Sequence, residues 1–167
     1  NELSTIPGRM DALFLDQVMT TLHRWMDYAD TKLAGTGIRV FVCPGNDDVF
    51  EIDAAIAASK LVRSVEGQVT QLDEHHEMVS SGWANPTPWH THREESDEAL
   101  LTRIEAVIAN CKNPGKAVFN LHPPPYGSGL DEAPELTKDM RPAYAGRSLV
   151  SVGSKSVLKV IEKYEPP

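Results

Sequence analysis

No apolar run in the 167 residues is long enough to span a bilayer, and no secretory-leader pattern is present, so no membrane partner is expected. Cysteine is scarce. Cys43 and Cys111 stand far apart and neither has a Cys-x-x-Cys partner, so reduced thiols and a cytoplasmic placement are the expectation. Positive charge is also short: 16 Lys and Arg face 24 Asp and Glu, for a net charge of -8 and a pI near 5.2. Non-specific nucleic-acid affinity comes mainly from basic side chains neutralising phosphates, and no basic run or RNA-type aromatic motif occurs, which argues against a broad nucleic-acid surface. Internal repeats, low-complexity tracts and an evident linker are missing too.

What is present suits one α/β domain. Apolar residues make up 41% of the chain, enough for a single core at this length. Met10, Leu13, Phe14, Val18, Leu22, Trp25, Met26, Ala29 and Leu33 recur at helical spacing until Gly35 and Gly37 break the pattern. A strand candidate, 38–43, follows, then an Ala-rich short helix at 53–59 and short strands at 61–62, 69–72 and 78–79 around a polar turn at 73–77. Ser96 can cap a second long helix with Asp97 and Glu98 in its first turn, where the helix dipole favours carboxylates. Residues 116–121 read as a strand, 122–147 as a long Pro/Gly loop, 149–152 as a strand, and Ser154 as the start of a last helix. Strand and helix alternating in this way indicate βαβ units.

Two turns carry chemistry. Pro44-Gly45-Asn46-Asp47-Asp48 follows the strand candidate at 38–43, and His122-Pro123-Pro124-Pro125 follows the one ending at Leu121. In open α/β sheets ligands bind just beyond the carboxyl ends of strands. Taken alone, Gly-Asn-Asp is an ordinary turn sequence, and a lone His at a strand end is a common hydrogen-bonded structural residue. The proline run after His122 stiffens the backbone and so preorganises the imidazole.

With its Gly-Asn-Asp-Asp turn at 45–48 and its His-Pro at 122–123, the chain resembles the calcineurin-like metallophosphoesterase superfamily. The Asn85-Pro86-Thr87-Pro88-Trp89 segment is similar to one prokaryotic branch of it. The resemblance implies a four-layer α/β/β/α sandwich and a centre of two divalent ions, Mn, Fe, Zn or Mg, with Asn46 and His122 among the metal ligands. It implies hydrolysis of a phosphomonoester or phosphodiester by metal-bound hydroxide. Asp47 stands where many relatives hold a His that protonates the leaving group or contacts phosphate, and is the catalytic candidate. The superfamily's Asp-x-His and Gly-Asp turns do not occur upstream of Asn46, where it places them, and its Gly-His-x-His turn does not occur at all; the one Asp-x-His, Asp73-Glu74-His75, falls in the polar hairpin turn. The expectation is therefore a single domain over 1–167 that lacks its N-terminal strands and its C-terminal metal-ligand segment.

The expected partner is a small phosphate-ester substrate. Trp89, for stacking, and Arg93, for phosphate contact, are its binding candidates on a solvated rim. His90 and His92 form a His-x-His pair that could bind zinc on a strand, but the Pro-rich, polar surroundings favour a loop. His75 and His76 fall in the polar hairpin turn and read as solvated surface. Arg141, Arg147 and Lys155 flank the loop after His122 and could either attract an anion or serve as ordinary ion-pair partners. A non-catalytic relative used as a scaffold, and an unrelated α/β binding module, remain the alternatives.

Overall fold

The computed structural model describes residues 8–167, so the first seven residues of the expected domain lie outside the described part. It is a mixed α/β protein whose contacts divide it into two compact units, 8–44 with 48–64 and 45–47 with 65–167. Where the sequence has no visible linker, the division passes through the Gly45-Asn46-Asp47 turn. Among the described residues, no helix is long and apolar enough to cross a membrane.

In the first unit, α1 (Arg9–Leu33) realises the long helical period. Its stripe of Val18, Met19, Leu22, Met26, Ala29 and Leu33 packs against buried Ile52, Ile56 and Val62. Gly35 and Gly37, with φ of 73° each, then turn the chain through a region that side chains with a Cβ rarely adopt. β1 (Val40–Val42), α2 (Ile52–Ala57) and β2 (Val62–Ser64) form a βαβ unit, the strands pairing parallel with Val40 opposite Val62. Asp30 ties α1 to the approach to β2: its carboxylate accepts the Ser59 hydroxyl at 2.6 Å and the backbone N–H groups of Lys60 and Leu61.

In the second unit, β3 (Val69–Gln71), β4 (Glu77–Ser81) and β5 (Val118–Leu121) form one sheet with β4 central. β3 and β4 are an antiparallel hairpin closed by Asp73, whose carboxylate accepts the N–H groups of His75 and His76 at 2.8 Å each. β4 and β5 are parallel, and α3 (Asp97–Ile108) makes the crossover between them. Ser96 caps α3, accepting from the Ala99 N–H, as the sequence pattern indicates. α4 (Lys155–Tyr164) is capped in the same way by Ser154. Val79, Leu100, Ile104, Ile108, Val157 and Val160 fill the core of this unit.

One stretch departs from the sequence reading. Residues 122–147 were expected to form a structureless loop, but they contain β6 (Glu132–Pro134), which pairs antiparallel with β7 (Leu149–Ser151). Glu-Ala-Pro is too short and too polar to show a period of two, and its proline fits only a strand with an unpaired side.

Candidate functional site

All of the geometry below belongs to the second unit. The turn after β1 presents Asn46, and the chain leaving β5 presents His122. Asn46 Oδ1 and His122 Nε2 are 2.8 Å apart, although 76 positions separate the residues in sequence. The carbonyl-type oxygen accepts, so the ring nitrogen donates. Gly45 permits this approach: a Cβ at that position would lie 2.7 Å from His122 Cε1 and 2.9 Å from Nε2. Pro123 is buried behind the exposed imidazole, and His122 N–H donates to Ser81 O at 3.0 Å, which ties the residue to the end of β4.

The amide of Asn46 is held from its other side. Its Nδ2 donates to Thr91 Oγ1 at 2.7 Å and to Glu94 Oε1 at 3.2 Å. Glu94 also accepts the Thr91 hydroxyl, the Thr87 hydroxyl at 2.6 Å and the Thr87 N–H at 2.8 Å. Burial pushes the Glu94 carboxyl up, but the hydrogen bonds from Thr87 and Thr91 outweigh it and hold the group at about 2. An ionised Glu94 accepts only, so it can face only the NH2 end of Asn46, and Oδ1 is thereby aimed at His122. No spacing signal in the sequence distinguishes Thr87, Thr91 and Glu94 from the rest of a polar loop.

Asn46 and His122 both line a cavity of ≈ 630 Å³ together with Trp89, Tyr126 and Lys155. Trp89 is exposed and lines the cavity. Arg93 is 1% exposed and does not line it, which corrects the expectation of a rim cation. The cause is a bridge between Ala84 and Glu94, with the Ala84 N–H donating to Arg93 O at 2.9 Å and the Arg93 N–H donating to Asn46 O at 3.1 Å. These bonds stitch the segment into the protein and turn Arg93 inward. Asp47 is exposed beside Asn46 and does not line the cavity. His90 has a φ of 51° in an exposed turn, and neither His90 nor His92 lines the cavity. Of the three flanking cations, Lys155 lines it and Arg141 and Arg147 do not.

The donor pair can be tested against a divalent ion. Two O or N donors about 2.1 Å from one ion and on adjacent octahedral vertices lie about 3.0 Å apart. The 2.8 Å between Asn46 Oδ1 and His122 Nε2 is the length of the hydrogen bond that joins them, and the pair could serve one ion only with Nε2 deprotonated and turned from the oxygen to the metal. Among the described residues, no group of three or more His, Cys, Asp or Glu side chains is placed to hold a metal ion.

No protein-family model matches the chain. It is similar to an uncharacterized protein of Methanocaldococcus jannaschii, 30% identical over 128 residues, which are 76% of this chain and 50% of that protein. The chain thus spans about half the length of the curated relative it matches. A solved crystal structure superposes with a TM-score of 0.55 over 90% of this chain and 57% of its own, at 16% identity, a likeness of fold alone.

Proposed function

We propose that the chain is part of a calcineurin-like metallophosphoesterase, a metal-dependent hydrolase of phosphate monoesters or diesters working in the cytoplasm. In this reading the complete domain is a four-layer α/β sandwich. The observation that carries the proposal is the 2.8 Å pairing of Asn46 Oδ1 with His122 Nε2, two metal-competent donors from two separate turns. Asn46 and His122 would hold one of two divalent ions, with the remaining ligands supplied from elsewhere in the complete protein. Such ions, when bound, neutralise phosphate oxygens and lower the pKa of a bound water.

The residues of this chain do the rest. Glu94 and Thr91 fix the Asn46 amide so that its oxygen, not its NH2 group, faces the site. Asp47 is this reading's candidate for proton exchange with the departing ester oxygen, although it is exposed beside Asn46 and outside the cavity lining. In the net reaction a water oxygen bonds to phosphorus, the P–O ester bond breaks, and the alcohol leaves with a proton. The test uses the complete protein: metal content after dialysis and phosphate release from a chromogenic ester. Asn46→Ala and His122→Ala should each remove most of both. Wild-type retention in both variants would overturn the proposal.

A further inference from the structure

Three features of the ≈ 630 Å³ cavity lie beyond the donor pair. First, its size is that of a site that encloses a drug-sized organic group, far more than a phosphate alone needs. Second, its lining is rich in rings. Trp89 is 67% exposed and Tyr126 40% exposed, and prolines 86, 88 and 124 add rigid apolar walls. Third, among the described residues no aspartate or glutamate lines it, while Lys155 does, its Nζ 5.3 Å from the Tyr126 ring centroid. A carboxylate-free wall with one cation suits an anionic ligand.

The polar side chains of the lining narrow the choice further, because several are already engaged. The Asn85 amide donates to Val152 O at 3.1 Å, the Thr87 hydroxyl to Glu94 at 2.6 Å, and the Asn46 amide to Thr91 at 2.7 Å. A polyol or sugar entering this space could replace its water hydrogen bonds only at the remaining groups, among them Ser151, Tyr126 and Lys155, whereas a flat apolar ring has none to replace. Rings gain instead by stacking on indole, phenol and proline faces.

We infer that the cavity takes the planar, apolar organic part of the substrate, so that the enzyme prefers aryl-type phosphate esters to sugar or polyol phosphates. This rests on the phosphoesterase reading and goes beyond it by naming the substrate class. Binding energy from the ring, remote from phosphorus, would appear in kcat/KM. The experiment measures kcat/KM of the complete protein for 2-(1-naphthyl)ethyl phosphate, whose leaving group is an alkyl alcohol of similar basicity to glycerol's, and for glycerol 3-phosphate, and separately the binding of 1-naphthol, which has no phosphate, by calorimetry. Wild type should favour the naphthyl ester, and Trp89→Ala and Tyr126→Ala should each reduce that ratio roughly tenfold. Trp89→Leu, which keeps apolar area without the indole face, should reduce it too. Tyr28→Ala, on an exposed face of α1, should not. Equal kcat/KM for the two esters, or a ratio unmoved by the ring variants, overturns the inference while leaving the hydrolase intact. If no ester is turned over, the hydrolase reading fails by itself, and 1-naphthol decides the cavity. Binding weakened by Trp89→Ala supports the ring site, and no binding ends it.

Discussion

Asn46 and His122 meet through a single 2.8 Å contact between an amide oxygen and a ring nitrogen. The contact depends on two things that the rest of the second unit supplies: room at Gly45 and an oriented Asn46 amide.

The room can be removed alone. Gly45 is not in the left-handed region, so alanine fits its backbone, and the clash is with an exposed imidazole that can turn aside by giving up its bond to Asn46. Gly45→Ala should therefore change unfolding free energy by no more than about 0.5 kcal/mol while lowering metal retention and phosphate release of the complete protein at least tenfold. Chemical denaturation and metal analysis on the same preparation check it. Unchanged metal retention would mean that the ring position is irrelevant.

Gly153→Ala should behave in the opposite way. A Cβ there would lie 2.6 Å from the Pro124 carbonyl oxygen and 2.8 Å from Asp131 Cβ, a backbone atom and a buried residue that cannot easily yield. The expected cost is about 1–3 kcal/mol, visible as a lower urea midpoint. A midpoint within error of wild type would count against the tightness of this contact.

Glu94 gives a pH signature. Its carboxyl is held near 2 against an ordinary 4.5, so its contribution to stability is full above about pH 4.5 and is lost as pH falls through about 2. The stability gap between wild type and Glu94→Gln should be widest at pH 7 and narrower at pH 3, as read from urea unfolding. A gap independent of pH would deny the ionised network. Glu94→Gln should also weaken metal retention at pH 7, because a glutamine amide can face Asn46 with either end.

The histidines provide a contrast within one residue type. His75 lies exposed in the hairpin turn closed by Asp73, so His75→Ala should leave metal content and phosphate release of the complete protein at wild-type levels, whereas His122→Ala removes most of both. Equal behaviour would relocate the site.

Neither thiol is in a disulfide; Cys43 is half-buried and Cys111 buried. Burial pushes the Cys111 thiol up, and its Sγ lies 3.3 Å from Glu77 Oε2. Both should titrate in denaturant without prior reduction, with Cys111 much the slower in the native protein.

Much of this was legible in the sequence, for local reasons. Ser96 and Ser154 stand as caps because hydroxyls satisfy the first N–H groups of a helix, and α1 and α3 follow from apolar residues at helical spacing. The Asn46 and His122 turns are visible because glycine and proline punctuate them. β6 was not legible, since three residues carry no period. Neither was the Thr87–Thr91–Glu94 network, because its partners meet only once the loop closes on itself. Arg93 was misplaced for the same reason: its burial follows from the bridge between Ala84 and Glu94, a pairing that no composition rule anticipates.

The proline run behind His122 has a kinetic consequence. Prolines 123, 124 and 125 carry no amide proton, so after His122 the next exchangeable backbone reporter is Tyr126. Its N–H is held by Ser154 O at 3.0 Å, while the Ser154 N–H returns to Pro124 O at 2.8 Å. In deuterium oxide these two amides should exchange together, because one opening event, the parting of this loop from the start of α4, exposes both. Their shared exchange rate would measure how often the support behind the imidazole comes undone.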